Sequence, residues 1–336
     1  MLNVQLFSPS PGRDVVNSMF ARSKVARSKS SAHAVVELRA VAPFDFDLVL
    51  RYLQIWPAAV LERLEDRRYR RAVYLGPHKV LLTIHSTGTP KRPRLILEVF
   101  GPGIDSSIVE QAAALVRRTF MLDADPAPFM QTARADPVLA EVVGRLGGAR
   151  PVQIIDPFEA VLWTIIGQQI NLAFARRLKL ALIEMCASHV EVDGERFGLF
   201  PQPAQVADLD PKLARQRQFS RQKVEYIKAI AAAVSSGRID FELLRNAPPH
   251  QALETLTSIK GIGRWTAEYV LIRALGFPDA IPAADVGLRK AIGNAYGMSR
   301  SATEQEVREL AERWRPWRGW AAFYWWLERL LALHPI

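Results

Sequence analysis

Residues 256–290 read LTSIKGIGRWTAEYVLIRALGFPDAIPAADVGLRK, and the rest of the chain is interpreted outward from them. Pro248 and Pro249 open an apolar-periodic run through Leu253, Leu256 and Ile259, which Lys260-Gly261-Ile262-Gly263 interrupts before a second run, Trp265, Tyr269, Ile272 and Leu275. This spacing predicts two helices joined by a tight turn, a helical hairpin over 249–275. Gly261 and Gly263 can take positive φ and admit a close backbone. The free N–H groups that start the second helix, flanked by Lys260 and Arg264, suit a phosphate. The same hairpin would also serve as a plain helix connector. Phe277-Pro278-Asp279 ends the second helix, Ile281-Pro282 runs extended, and Asp285 then stands where an N-cap would, ahead of Val286, Leu288 and Ile292.

This segment resembles the helix-hairpin-helix DNA glycosylase superfamily, and within it the DNA-3-methyladenine glycosylase II type. The hairpin pattern L-x-x-[IL]-x-G-I-G-x-W-T-A falls on Leu256 to Ala267, and the following P-x-x-D on Pro282 to Asp285. The resemblance runs from about residue 33 to the end and is densest from Asp156 onward. It implies that Asp285 is catalytic. The family's frequent acidic neighbour before that residue is Ala284 here, which leaves Asp285 as the one candidate. It also implies a base pocket formed by Trp265, Tyr269 and Trp326, and DNA contacts from Lys260, Gly261, Ile262, Gly263 and Arg264. The G-Q-x-[IV] turn, here Gly167-Gln168-Gln169-Ile170, is similar to one that enters the DNA, with Gln169 where the best-known form carries a leucine wedge. Relatives that also cleave the backbone carry a lysine nucleophile two residues after the second glycine. That position is Trp265, so no lyase activity is expected.

Composition sets the wider bounds. The chain has 336 residues, enough for two or three cores, and a net charge of +10 that favours a polyanionic partner. Double-stranded DNA containing damaged bases is the partner expected, with the protein acting as a monomer. Cys186 is the sole cysteine, so internal disulfides, a four-cysteine iron-sulfur cluster and a methyl-acceptor domain are excluded. The six histidines show no ligand spacing; no metal and no cofactor are expected. No apolar run reaches the ~20 residues that span a bilayer, and a soluble, cytoplasmic, nucleoid-associated protein is the expectation. Residues 1–32 carry five Lys or Arg against one acid and read as a disordered basic tail; the alternative is an organelle or nuclear targeting segment.

Residues 33–122 predict an α+β scaffold domain: a strand at 33–40, a helix after Asp45, a three-strand meander (70–75, 79–85, 94–100) and a helix over 106–120. This makes an antiparallel sheet covered on one side. The resemblance likens it to half of the TATA-binding fold. Residues 123–336 predict an all-α core of two helical lobes. It includes a helix opened by Asp156-Pro157 and apolar enough to be buried, and an amphipathic helix, 172–186, whose Arg176, Arg177 and Lys179 are read as solvated. It also includes a proline-rich linker over 201–211, a helix over 221–234 with Lys223 and Lys228 outward, and a last segment, 304–331, rich in tryptophan.

The chemistry follows from the lesion. A purine alkylated at N3 or N7 is cationic, and a desolvated indole face attracts a flat cation by ~2 kcal/mol. Its charge also lets the base leave neutral, so the site needs one carboxylate near C1′ and no proton donor. The expected activity is excision of 3-methyladenine and 7-methylguanine flipped out of duplex DNA. Two other readings stay open: a non-catalytic helix-hairpin-helix DNA-binding protein, and a glycosylase for deaminated or mismatched bases. Trp317, Trp320 and Tyr324 are assigned to the core.

Overall fold

A computed structural model of the chain describes residues 3–5, 32–56 and 59–334. It opens on a six-stranded antiparallel sheet formed by β1 (Asn3–Gln5), β2 (Ala32–Arg39), β3 (Arg63–Glu65), β4 (Arg68–Leu75), β5 (His78–Ser86) and β6 (Arg94–Gly101), in the order β1-β2-β6-β5-β4-β3. The stretch read as a basic tail lies outside the described residues, apart from Ala32 and Asn3–Gln5. The latter three pair with Val35–Glu37 at the sheet edge and so depart from that reading.

Period-2 alternation sets one face of this sheet. Val36, Leu38, Val80, Leu82, Ile84, Leu95, Leu97 and Val99 are fully buried on it, beneath α1 (Phe46–Ile55) and α2 (Ser106–Thr119). Asp45 and Asp105 cap the two helices, each accepting the N–H three residues on. Each such fully buried Val, Leu or Ile contributes roughly 1.5–3 kcal/mol.

The sheet is not covered on one side only. A hairpin of β7 (His189–Val192) and β8 (Glu195–Gly198) lays Val190, Val192 and Phe197, with Leu199, against Ala72 and Leu81 on the opposite face. The region beyond Asp123 is therefore not wholly helical. The turn is Asp193-Gly194, both at positive φ (52° and 81°), which is the geometry that matches strand twist in a two-residue hairpin. Asp66-Arg67, at 50° and 58°, turns β3 into β4 in the same way. β3, β7 and β8, of three or four residues each, are too short for alternation to mark, but Asp-Gly is itself a hairpin signal.

The helical part comprises α3 (Ala127–Ala133), α4 (Pro137–Arg145), α5 (Pro157–Gly167), α6 (Leu172–Cys186), α7 (Pro203–Ala207), α8 (Pro211–Gln216) and α9 (Arg221–Ser235). It continues with α10 (Phe241–Asn246), α11 (Pro249–Thr257), α12 (Arg264–Arg273), α13 (Val286–Ala295), α14 (Glu304–Ala311) and α15 (Arg318–Leu333). Between residues 123 and 146 the chain forms two helices rather than one, α3 and α4; Asp136 caps α4 and accepts Trp314 Nε1 at 3.0 Å and the Tyr296 hydroxyl. The 201–211 linker contains α7, started by Pro203. The last segment breaks between α14 and α15, next to Pro316. Among the described residues no helix is long and apolar enough to cross a membrane.

α5 is the buried centre, and it corrects the reading of two lysines, Lys179 and Lys223. Glu159 is 1% exposed and is held by Arg71 of β4 and by Lys179 Nζ at 2.5 Å. Lys179 is thus not solvated but fully buried, because a carboxylate on an interior helix must be met by cations. Burial alone would raise the Glu159 carboxyl; Arg71 and Lys179 overcome that and leave its pKa below the ordinary glutamate range. Lys223 and Lys228 do not point outward either. Lys228 Nζ donates to the Leu209 carbonyl at 2.6 Å, and Lys223 turns in beneath the end of α5.

Candidate active site

The hairpin forms as its sequence predicts, with α11 and α12 joined through 258–263. Its two glycines do different things. Gly261 sits at φ +97°, and a Cβ there would come within 2.7 Å of the Tyr226 ring, so both conformation and space demand glycine. Gly263 is extended, caps α12 without a side chain, and faces open space. There the missing side chain leaves the first N–H groups of α12 accessible. Ile262 is buried and anchors the turn, so only its backbone faces outward.

The flanking cations are already engaged. Lys260 Nζ meets Glu225 at 2.5 Å on the surface. Arg264 donates through Nε to Glu268 at 2.9 Å, and Glu268, 4% exposed, also takes two bonds from Arg308. Arg264 is thereby oriented with the rest of its guanidinium unassigned among these bonds. Glu268 gave no signal in sequence, since it lies on the helix that was read for its aromatics.

An open groove of about 820 Å³ separates the hairpin from the turn that ends α5; Gln168, Gln169, Lys223, Tyr226, Lys260 and Gly261 are among its lining residues. The two amides part company here. Gln168 Nε2 donates to the Gly261 carbonyl at 3.1 Å and links turn to hairpin. Gln169 is exposed at the tip, at φ +56°.

Asp285 lies apart from that groove, half-buried at the start of α13. Its Oδ1 accepts the Leu288 N–H at 2.7 Å and Trp326 Nε1 at 2.9 Å, and its Oδ2 accepts Trp265 Nε1 at 3.3 Å. Residues from α12, α13 and α15 thus converge on one carboxylate. Capping uses one lone pair of Oδ1 and leaves the remainder of the carboxylate for other donors. Tyr269 lies between the two indoles, 5.9 Å from Trp265 and 5.7 Å from Trp326 between ring centroids, both tilted. Its phenol is buried, and burial pushes its pKa well above the ordinary tyrosine range, so it stays protonated. Gly287 went unread in the sequence: a Cβ there would stand 3.1 Å from Asp285 Oδ1 and 4.0 Å from Trp326 Cδ1. It keeps the approach to the carboxylate clear.

Trp317, Trp320 and Tyr324 stay out of this cluster. Trp320 and Tyr324 are buried against Phe129, at 5.4 and 5.1 Å. Trp317 packs edge-on against Trp320, 5.5 Å away.

Comparison with known proteins places both halves of the chain. Residues 162–316 match the HhH-GPD superfamily base excision DNA repair protein model, and residues 35–156 match the AlkA N-terminal domain. The DNA-3-methyladenine glycosylase of Bacillus subtilis is 33% identical over 84% of this chain and 93% of its own length. Among solved structures, the 3-methyladenine DNA-glycosylase from Archaeoglobus fulgidus superposes with a TM-score of 0.76 at 26% identity, over 87% of this chain and 98% of that one. The 3-methyladenine DNA glycosylase of Schizosaccharomyces pombe, solved in complex with abasic DNA, matches with a TM-score of 0.51 at 28% identity, over 59% of this chain and 95% of that one.

Proposed function

Because the chain belongs to the HhH-GPD superfamily of base excision DNA repair proteins, we propose that it is a monofunctional glycosylase excising alkylated purines, 3-methyladenine and 7-methylguanine, from double-stranded DNA. The observation that carries this reading is the carboxylate of Asp285 held by two indole N–H groups beside Tyr269. A cationic purine stacked on these rings meets electron-rich faces, and Asp285 stands where an oxocarbenium ion at C1′ would need a negative charge.

The reaction balances simply. The bond from C1′ to the base nitrogen breaks with its electron pair going to the base, which leaves neutral. Water adds to C1′ and gives up a proton, with Asp285 orienting it and receiving that proton. Gln169, at the tip of its turn, fills the gap left in the stack, while the α12 N-terminus and Arg264 grip the neighbouring phosphate.

The direct test is mass spectrometry of bases freed from methylated and from deaminated DNA. Release of methylated purines is the expected result; release of uracil or hypoxanthine alone, or of nothing, would remove the proposal. In the same reactions borohydride is expected to trap no covalent adduct, because Trp265 stands where a lyase carries lysine. A trapped species that disappears on mutating one lysine would overturn this part.

The indoles have two tasks here, and substitutions separate them. Trp326→Phe keeps an aromatic face but removes the donor to Asp285 Oδ1. Single-turnover excision should therefore fall for every base alike, by about five- to tenfold for one lost hydrogen bond of ~1 kcal/mol or slightly more. Trp326→Leu removes the face as well, and its additional loss should fall on cationic 3-methyladenine more than on neutral hypoxanthine. Equal additional losses for both bases would mean that the ring supplies shape alone.

A further inference from the structure

α9 lies beneath both DNA-facing turns. Lys223 Nζ donates to the carbonyls of Ile165 at 3.1 Å, Ile166 at 2.8 Å and Gln168 at 2.7 Å. These are carbonyls at the C-terminus of α5, where that of Ile165 also accepts the Gln168 N–H at 3.3 Å, and an ammonium suits that end of the dipole. One turn further along α9, the Tyr226 ring abuts Gly261 in the hairpin. Gln168 Nε2 then closes the circuit to the Gly261 carbonyl at 3.1 Å.

Two features show that the turn depends on such support. Gln169 is held at φ +56°, a conformation that a non-glycine residue keeps only where its surroundings impose it. An ammonium has three protons, and all three carbonyl partners of Lys223 come from this one segment. No proton is left for a phosphate, although the side chain lines the groove.

We propose that Lys223 is a positioning residue for base extrusion: it holds the turn 167–170 in its DNA-entering shape and, with Tyr226, fixes that turn relative to the hairpin. This rests on the proposed glycosylase reading but not on Gln169 being the wedge. Burial lowers the Lys223 pKa, as expected for a cation drawn in under the turn rather than displayed to solvent.

The test is Lys223→Met in the full chain. Single-turnover excision of 3-methyladenine should fall at least about tenfold. Affinity for undamaged duplex and its dependence on salt should stay as in the wild type, and amides of 166–170 should exchange faster with deuterium. If Lys223→Met does not fold, Lys223→Gln, which keeps a donor but loses charge and reach, carries the same three measurements. Wild-type excision would overturn the proposal. So would a loss matched by weaker binding of undamaged DNA with a salt slope reduced by about one, the mark of a phosphate ligand. Gln169→Ala separates the two readings. A wild-type rate there beside an impaired Lys223→Met removes Gln169 as the wedge and leaves the positioning role standing.

Discussion

Asp285→Asn is expected to lower base release by about 10²–10³-fold or more, the scale seen when a group aimed at transition-state charge is removed. Affinity for abasic-site DNA should stay within about tenfold, ~1.4 kcal/mol. The structure explains why asparagine is the informative substitution. Its carbonyl can take the place of Oδ1, keeping the bonds from Leu288 N–H and Trp326 Nε1, and asparagine caps helices as well as aspartate does. Its NH₂ then faces Trp265 Nε1, which gives up only the longer 3.3 Å contact. Asp285→Ala would instead lose the cap, at about 1 kcal/mol, and confuse folding with chemistry. The measurement is single-turnover excision beside a binding titration. Excision by Asp285→Asn near the wild-type rate would remove Asp285 from the mechanism and with it the central assignment here.

The largest stability effect is expected at Glu159. Glu159→Gln removes from Lys179 the carboxylate at 2.5 Å and leaves Arg71 the more distant Glu62, at 3.5 Å, and removal of one partner from a buried ion pair costs about 3–5 kcal/mol. Replacing all three, Arg71→Met, Glu159→Leu and Lys179→Met, should recover part of that loss, since the apolar trio needs no desolvated charge while Glu62 gives up its contact with Arg71. The sign of the pH dependence follows from the depressed Glu159 pKa. Its contribution is present above the ordinary glutamate value of 4.5 and is lost as pH falls through the lower folded value, so the wild type should lose stability in acid that Glu159→Gln has already lost. Urea unfolding of the three proteins at neutral and acid pH checks both points. A Glu159→Gln protein as stable as the wild type would show that the cations find water or other partners.

These two sites differ in how far the sequence revealed them. The hairpin was legible because its information is local: apolar spacing marks α11 and α12, and Gly261 declares a turn that another side chain could not make. Asp285 was legible by its place after Pro282, and the strands from β4 to β6 by alternation over eight or nine residues each. The sequence by itself therefore determined the antiparallel sheet domain, the mainly helical core and the residues that meet around Asp285.

What it left open was decided by contacts between residues far apart in the chain. Lys179 and Lys223 look like surface charges on amphipathic helices until Glu159 and the carbonyl end of α5 are brought against them. Trp326 lies 41 residues from Asp285, and only the packing of α15 on α13 turns an indole expected as a stacking face into a hydrogen-bond donor as well. Asp193-Gly194 closes a hairpin whose four-residue strands are stable only against Ala72 and Leu81 of the sheet. The physical reason is common to all of these. Periodicity reports whether a side chain faces inward, but a buried charge or donor is tolerable only beside its partner, and which partner arrives there is fixed by tertiary packing.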